Sequence, residues 1–139
     1  MEEADRYYDT IYSANEDFLL DVSELKAPGV AFYVARDLGQ LLGFGAVALR
    51  PEDEAGLPWA ELKRIYVAPA ARGRRVGRLL LGRLLDHAKD LGISLFRLET
   101  GRKQMEAITL YHSVGFVMRG PFGDYPYNEA SVFMELSLV

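Results

Sequence analysis

The chain has 139 residues, about the size of one domain, with a net charge of −4 and half of its residues hydrophobic. This composition is that of a globular protein and excludes a wholly disordered chain. No apolar run approaches the roughly 18 residues that span a bilayer, and the acidic N-terminus is unlike a signal peptide. The absence of cysteine excludes disulfides, thiolate metal sites and a thiol nucleophile. We therefore predict one cytoplasmic domain over residues 1–139.

Helices are predicted at the start of the chain, and strands after them. Apolar residues between positions 4 and 20 are spaced for one or two short amphipathic helices. Three β-rich runs follow, at 29–36, 41–49 and 59–67, with a turn at 38–40. Consecutive strands of this kind favour an antiparallel meander.

The second half of the chain alternates helices with strands. Residues 76–91 carry apolar side chains every three or four positions and predict the strongest helix, which Gly92 ends. A strand, a helix and two further strands follow, at 93–99, 104–113, 116–118 and 131–138. Strand–helix–strand units favour parallel pairing, so the predicted sheet is mixed and the fold class is α+β (mixed α/β).

The segment 72–78, RGRRVGR, places four arginines in seven positions of an acidic chain. It joins the strand that ends at Val67 to the helix that begins near Val76, where unpaired backbone N–H groups favour anions. Gly73 and Gly77 let a ligand approach the backbone without a Cβ in the way. Cations oppose the dipole at a helix N-terminus. The pattern therefore favours a discrete phosphorylated ligand over two alternatives, a solvated arginine face and a nucleic-acid patch.

Two other phosphate-binding patterns are excluded by their context. Residues 73–77 lack the spacing and the Lys-Ser/Thr pair of a nucleoside triphosphate loop. Residues 43–48, GFGAVA, match a G-x-G-x-x-A dinucleotide fingerprint, but they lie inside a predicted strand and no helix follows them. We interpret these strand glycines as sites of a bulge or of close backbone approach.

The stretches ELKRIYVAPAARGRRVGRLLLGRLLDHAKDLG and LETGRKQMEAITLYHSVGF resemble the GNAT superfamily of acetyl-CoA-dependent N-acetyltransferases. The resemblance covers residues 30–139 and implies a three-layer α-β-α fold with a mixed, mostly antiparallel sheet. Family members normally open with a strand before the first helix, whereas only MEEADRY precedes the helical pattern here. We therefore expect the first family strand to be absent and the sheet to have six strands. A strand within residues 1–6 would contradict this expectation.

The resemblance also implies which residues bind the acetyl-CoA co-substrate. The family's pyrophosphate loop, Gln/Arg-x-x-Gly-x-Gly/Ala, corresponds to residues 72–77, with Arg75 in place of the first family glycine. Backbone groups of the preceding strand would pair with the pantetheine amides, and Gln104 stands where the family often has an asparagine that contacts the cofactor. The expected coenzyme-binding residues are Ile65, Tyr66, Val67, Arg72, Gly73, Arg74, Arg75, Val76, Gly77, Arg78 and Gln104.

Tyr111 is the first of two expected catalytic residues. It ends the A-x-x-L-Y motif of residues 107–111, whose tyrosine in the family stands near the cofactor sulfur and protonates the departing thiolate. A phenol with a pKa of about 10 can donate to a thiolate whose conjugate acid has a pKa near 8.5. The alternative is that Tyr111 is only a core residue.

Glu61 is the second expected catalytic residue. It stands eleven residues ahead of Arg72, which is the spacing of the glutamate base in histone-type family members. A base is useful because an amine with a pKa of about 10.4 is only about one part in 2,500 neutral at pH 7. Strand alternation places Glu61 on one face with Lys63, Ile65 and Val67. The alternatives are that Glu61 forms a salt bridge with Lys63 and that a chain of waters acts as the base.

These features predict an enzyme that moves an acetyl group from acetyl-CoA to a primary amine of a small molecule, by direct transfer through a tetrahedral intermediate. Aromatic residues and Asp124 or Glu129 within 121–129, PFGDYPYNE, either hold the amine or simply pack. The alternative function is a non-catalytic acyl-CoA-binding module or sensor. His87 and His112 lack the spacing of a zinc site, so we expect no metal. We also expect no nucleic-acid or membrane partner, and the resemblance permits a homodimer.

Overall fold

The computed structural model of the protein describes residues 10–12, 19–24, 29–53 and 55–138. Its strands are β1 (Thr10–Tyr12), β2 (Leu19–Glu24), β3 (Val30–Asp37), β4 (Gln40–Arg50), β5 (Trp59–Val67), β6 (Leu95–Gly101), β7 (Val117–Arg119) and β8 (Ser131–Ser137). Its helices are α1 (Val76–Lys89) and α2 (Met105–Val114), and a 3₁₀ turn covers Pro69–Ala71. These strands form one sheet in the order β1-β2-β3-β4-β5-β6-β8-β7.

The sheet is mixed, as the sequence predicts. Strands β5 and β6 pair in parallel, and the other neighbouring strands of the described residues pair antiparallel. All six predicted strands and both helices predicted after residue 29 are present, with every end within two residues of its expected place. The α+β class and the mostly antiparallel sheet are therefore confirmed.

The N-terminal prediction is wrong where the structure describes this part of the chain. Residues 10–12, 19 and 20 lie in the stretch that was expected to be helical, but they form β1 and the start of β2, and these two strands add to the six expected strands. Strand β2 pairs with the whole of β3, from Leu19 opposite Arg36 to Glu24 opposite Ala31. The reason is that β3 would otherwise leave a row of unpaired backbone groups, which another strand satisfies. The edge expected to lack the first family strand is thus occupied by β2.

Two parts of the prediction for the start of the chain lie outside the described residues. One is a strand within residues 1–6, and the other is helical structure at 1–9 and 13–18. The further helical layer of the expected three-layer arrangement depends on those segments.

The main core lies between the two helices and one face of the sheet. Leu80, Leu81 and Leu84 of α1 are fully buried there, together with Phe96 of β6. The apolar positions recur every three or four residues along α1, so one face of this helix packs on the sheet. No helix of the described residues is long and apolar enough to cross a membrane.

Strands β5 and β6 separate halfway along their length. They pair only from Ala60 opposite Phe96 to Leu62 opposite Leu98, although β5 continues for five residues beyond Leu62. The edge of β5 that faces β6 is therefore without a ladder partner over residues 63–67. This separation opens a gap in the middle of the sheet.

A bulge in β5 lies just beyond the point of separation. Arg64 has a left-handed backbone with φ 58°, and the register with β4 shifts so that Arg64 and Ile65 together oppose Gly45. A Cβ on Gly45 would lie 2.9 Å from a methyl of Leu84, and a Cβ on Gly43 would lie 2.5 Å from the carbonyl oxygen of Tyr66. The interpretation of the strand glycines as sites of a bulge and of close approach is confirmed.

Candidate active site

A cleft of about 770 Å³ opens where β5 and β6 separate. The end of β5, the end of β6, the start of α1 and one side of α2 form its walls. Tyr111 and all but one of the expected coenzyme-binding residues line it: Ile65, Tyr66, Val67, Arg72, Gly73, Arg75, Val76, Gly77, Arg78 and Gln104. We call this space the coenzyme cleft. The fold therefore brings together residues that the sequence places on a strand, a loop and two helices.

The start of α1 offers unbonded backbone donors to this cleft. Leu79 is the first helical residue whose N–H is bonded, to the Arg75 carbonyl at 3.0 Å. Among the described residues nothing accepts a hydrogen bond from the N–H groups of Gly73 or of residues 75–78. These five donors, four of them at the helix N-terminus, form a site with a partial positive charge, which suits an anion.

Arg75 occupies the position where the family has a glycine. Its φ of 65° and ψ of 19° lie in the left-handed region that glycine adopts freely. A non-glycine residue is strained in this region by about 1–2 kcal/mol. The backbone therefore follows the path that a glycine would give, and the arginine adds a cation at the mouth of the cleft.

The arginines of the loop differ in what they contact. Arg78 donates to the Ser113 hydroxyl at 2.8 Å, and exposed Arg72 lies 3.7 Å from exposed Glu106. Arg72 and Arg78 both line the coenzyme cleft. Arg74, which was expected to bind the coenzyme, does not line it.

Arg74 is directed to the end of β3 instead. It lies between two residues with left-handed backbone, Gly73 and Arg75, and its Nη2 donates to Asp37 Oδ2 at 3.0 Å. Asp37 precedes the turn that joins β3 to β4. The ion pair therefore connects the arginine loop to this turn.

Tyr111 is buried, with 4% of its surface exposed, and it lines the coenzyme cleft. Its ring packs 5.8 Å from the ring of Phe116, so it is also a core residue. Burial raises the pKa of Tyr111 to about 12. Within the described part of the chain its hydroxyl has no hydrogen-bond partner. A protonated, unpartnered donor is therefore available beside the cleft.

Glu61 is 4% exposed, and both of its carboxylate oxygens are bonded. Oε1 accepts from Arg50 Nε at 3.0 Å and Nη2 at 2.8 Å, and Oε2 accepts from the Tyr125 hydroxyl at 2.6 Å. Burial and the bond to Glu61 raise the pKa of Tyr125 to about 12. The expected alternative, a salt bridge from Glu61 to Lys63, is wrong because Arg50 holds this carboxylate.

The bulge at Arg64 also corrects the face on which Glu61 lies. Ile65 and Val67 pack against the core beneath the helices, as Leu62 does. Glu61 instead lies with Trp59 on the opposite face of the sheet, because the extra residue at the bulge reverses the alternation. The expectation that Glu61 shares a face with Ile65 and Val67 is therefore wrong.

Glu61 lines a second cleft of about 710 Å³ on that opposite face. We call it the outer cleft. Its lining residues are Arg50, Pro51, Glu52, Asp53, Trp59, Glu61, Lys63, Arg97, Phe122, Gly123, Asp124, Tyr125 and Pro126. Among the described residues, Lys63 alone lines both clefts. The two clefts therefore meet at Lys63, where β5 leaves β6.

The aromatic side chains beside the outer cleft pack against one another. Phe122 lies edge-on to Trp59, with centroids 5.4 Å apart, and to Tyr125, with centroids 5.2 Å apart. Trp59 is 8% and Phe122 is 4% exposed, so little of either ring is left for a ligand. Asp124 lines the cleft and is exposed, whereas Glu129 lines neither cleft. Of the two readings of this segment, packing is the better supported.

A buried arginine that sequence reasoning missed supports the outer cleft. Arg97 donates to Asp53 at 2.9 Å and to Glu135 at 2.8 Å, and it lies 4.9 Å above the Trp59 ring. Hydrogen bonds from the Leu57 N–H first, and then from Arg97, lower the pKa of Asp53. A charged residue inside the buried strand at 93–99 is the one sequence signal that could have found it.

The two histidines make structural contacts. His87 Nδ1 lies 3.3 Å from the Tyr33 hydroxyl, and His112 Nδ1 lies 3.1 Å from the Phe116 carbonyl oxygen. In the part of the chain that the structure describes, no group of three or more histidine, aspartate or glutamate side chains is arranged to hold a metal ion.

The fold and the cleft are those expected of an acyltransferase, and comparisons with known proteins show this class. The model of the acetyltransferase (GNAT) family matches residues 1–116. The chain belongs to this family, and it is an N-acetyltransferase that depends on acetyl-CoA. The predicted family and enzyme class are confirmed.

Individual relatives support the same conclusion. An "IAA acetyltransferase" of Azospirillum brasilense is 44% identical over 138 residues, which are 99% of this chain and 88% of the relative. A solved structure from Klebsiella pneumoniae, named as an acyl-CoA N-acyltransferase, superposes with a TM-score of 0.72 at 36% identity, over 84% of this chain and 78% of that one. An acetyltransferase of Salmonella typhimurium, solved with its cofactor acetyl-CoA, superposes with a TM-score of 0.63 at 25% identity, over 80% of this chain and 66% of that one.

Proposed function

We propose that the protein transfers the acetyl group of acetyl-CoA directly to a primary amine of a small molecule. The observation that carries this proposal is the coenzyme cleft, where unbonded helix donors, arginines and a free strand edge converge on the buried Tyr111. The chain has no cysteine, which agrees with a direct transfer that needs no thiol nucleophile. We further propose that residues 1–139 act as one N-acetyltransferase domain.

The start of α1 would hold the diphosphate of the coenzyme. The N–H groups of Gly73 and of residues 75–78 have no acceptor among the described residues, and a diphosphate supplies acceptors. Arg72, Arg75 and Arg78 add charge-assisted donors. We assign no direct contact to Arg74, because its guanidinium is bound to Asp37.

The free edge of β5 would hold the pantetheine arm. Beyond Leu62 no strand of the described residues pairs with β5 on its β6 side, so backbone groups along this edge at Ile65, Tyr66 and Val67 are available to amides of the coenzyme. An extended chain that pairs with a strand edge gains main-chain hydrogen bonds in the same way as an added strand. Gln104 lines the far wall and is exposed, so its amide is available to the coenzyme as well.

Tyr111 would donate a hydrogen bond to the departing sulfur. Bound acetyl-CoA supplies a thioester, whose thiolate is a better leaving group when it is hydrogen-bonded. Because the pKa of Tyr111 is about 12, the phenol stays protonated throughout the working pH range and acts as a donor. The absence of a partner within the described residues leaves its hydroxyl available for this bond.

Glu61 remains our candidate for the group that receives the proton of the amine. Arg50 occupies Oε1, so the proton would arrive at Oε2, either through the Tyr125 hydroxyl or through a water that replaces this contact. A chain of waters that bypasses Glu61 is the alternative. The Glu61→Gln variant distinguishes the two routes, since it lowers kcat/KM if Glu61 receives the proton and leaves kcat/KM unchanged if a chain of waters bypasses Glu61.

The experiment that tests the proposed function combines acetyl-CoA, a panel of amines and detection of both products. We expect thiol release that depends on the acceptor and is matched by an acetylated amine in the mass spectrum. IAA belongs in the panel because the Azospirillum relative is named for it. Tight acetyl-CoA binding without turnover of any acceptor would instead support a sensor.

A further inference from the structure

Lys63 stands at the one point where the coenzyme cleft and the outer cleft meet, among the residues that the structure describes. If the coenzyme enters by the first cleft and the acceptor by the second, this junction is where the amine reaches the thioester. The role that we infer for Lys63 therefore rests on the proposed function, which places the coenzyme in the first cleft.

Lys63 has no ion-pair partner within the described part of the chain. The nearest carboxylate along the strand face, that of Glu61, is saturated by Arg50 and Tyr125. Lys63 is half-buried, so its charge is less screened than that of a fully exposed lysine.

The other charges that line the outer cleft are balanced or exposed. Arg50 is paired with Glu61, and Arg97 is paired with Asp53 and with Glu135. Glu52 and Asp124, the remaining acids of the lining, are exposed and are screened by solvent. After these pairs are counted, two charges without an ion-pair partner among the described residues remain near the junction: that of Lys63 and that of half-buried Glu99, whose Oε2 accepts from the Ser131 hydroxyl.

Lys63 is too far along β5 to serve the diphosphate. Four residues of strand separate it from Val67, which corresponds to about 13 Å, and the arginine loop begins beyond that. Its ammonium is therefore available to the other substrate.

We infer that Lys63 determines acceptor specificity by binding a carboxylate that the acceptor carries next to its amine. The acceptors favoured by this arrangement are amino-acid-like compounds. Simple amines and polyamines, which bring only positive charge to the junction, are disfavoured. A carboxylate that meets the ammonium of Lys63 makes a charge-assisted hydrogen bond, which fixes the neighbouring amine toward the coenzyme cleft.

The test uses pairs of acceptors that differ only in this carboxylate, such as phenylalanine with phenethylamine and tryptophan with tryptamine. For each pair the ratio of the two kcat/KM values is measured in the wild type and in Lys63→Met, so that differences in amine pKa cancel. We expect the preference for the carboxylate-bearing member to fall by about ten- to a hundredfold in Lys63→Met, the value of one hydrogen bond to a charged group. Lys63→Arg should retain the preference.

Two controls separate acceptor binding from other effects. Lys89→Met removes the same charge at the end of α1, where Lys89 lies 3.4 Å from Asp86, and it should leave the ratio unchanged. Calorimetry should give the same coenzyme A affinity for Lys63→Met and the wild type. A loss in Lys63→Met that is equal for both members of every pair would overturn the inference and leave the proposed function standing. Absence of turnover with any amine would overturn the proposed function, and the inference with it.

Discussion

The two clefts of this protein are built in opposite ways. The coenzyme cleft offers groups that have no partner among the described residues: the backbone donors of α1, the edge of β5 and the hydroxyl of Tyr111. Apart from Lys63 and the exposed acids Glu52 and Asp124, the charged groups of the outer cleft are paired with one another or with neighbouring residues, such as Glu61 with Arg50 and Arg97 with Asp53. Groups without a protein partner are available to bind a ligand, whereas paired groups stabilise the local structure.

This difference assigns the two clefts different tasks. A coenzyme is the same in every turnover, so its cleft can rely on backbone donors and exposed cations. The outer cleft must hold its walls in place around a small acceptor, and an interlocked set of ion pairs does this. Substitutions should therefore change affinity in the first cleft and stability in the second.

The largest expected effect is on stability, from Arg97→Ala. The side chain of Arg97 is 9% exposed, and its removal leaves Asp53, with 7% exposed, without its cation. Removal of one partner of a buried ion pair destabilises a protein by about 3–5 kcal/mol. We expect a loss at the lower end of this range in urea unfolding, because Glu135 keeps Arg119 as a partner.

Coenzyme A affinity provides the contrast for that variant. The folded fraction of Arg97→Ala should bind coenzyme A with the wild-type Kd, because Arg97 does not line the coenzyme cleft. Arg97→Lys, which keeps the charge, serves if the alanine variant does not fold. A weakened Kd with unchanged stability would reverse the roles that we give to the two clefts.

The second expected effect is on turnover, from Tyr111→Phe. Loss of a proton or hydrogen-bond donor to the leaving group should lower kcat about a hundredfold, at the low end of general acid catalysis. The Kd for acetyl-CoA should change less than about twofold, because the ring remains in place. Turnover equal to that of the wild type would remove Tyr111 from the mechanism and leave it as a core residue.

The same tyrosine predicts a loss of stability in alkali. Its pKa is about 12 in the folded protein and about 10 when unfolded, so the unfolded chain loses the proton first as the pH rises. Stability is therefore complete below pH 10 and falls between pH 10 and 12, by up to about 2.7 kcal/mol for this group. The Tyr111→Phe variant should show a smaller decrease over this interval, and an identical decrease would argue against the burial of the hydroxyl.

Most of the coenzyme cleft could be predicted from the sequence because its donors come from one contiguous segment. Residues 72–78 follow a strand and open a helix, and local geometry alone then places their N–H groups together. The ion pair of Arg74 could not be predicted, because its partner, Asp37, is 37 residues away in the chain. A local motif does not specify such a contact.

The outer cleft depends on pairings between distant residues. The partners of Glu61 are 11 and 64 residues away, and those of Arg97 are 38 and 44 residues away. The bulge at Arg64 reverses the strand alternation, and the glycines of the facing strand were its only sequence signal. At the N-terminus, β2 was missed because pairing with the open edge of β3 outweighs a weak helical period.

The third expected effect, which is intermediate in size, is on coenzyme A affinity and comes from Arg75→Glu. The substitution places a negative charge beside the expected diphosphate and should raise the Kd for coenzyme A at least about tenfold. An acid at the start of α1 is also favourable to the helix dipole, so stability should rise by about 0.3–1 kcal/mol. A variant that binds coenzyme A more weakly but is more stable than the wild type would show that the cation at position 75 serves binding and not stability.

Arg75→Gly sharpens the third prediction. Glycine relieves the left-handed strain at this position and keeps the backbone donors, so the Kd should rise much less than in Arg75→Glu. Isothermal calorimetry and thermal unfolding measure both quantities. Equal affinities for the glutamate variant and the wild type would show that no diphosphate lies near Arg75.

The smallest expected effect is on coenzyme A affinity, from Arg74→Ala. This variant tests whether a residue that does not line the coenzyme cleft nevertheless binds the coenzyme. The ion pair of Arg74 with Asp37 is partly exposed, and pairs of this kind are worth at most about 1 kcal/mol. If Arg74 only steadies the loop, Arg74→Ala should raise the Kd for coenzyme A about two- to threefold. Asp37→Asn should then have the same effect, because it breaks the same pair. If Arg74 instead turns to bind the coenzyme, Asp37→Asn frees it and tightens binding, and the two variants have opposite signs.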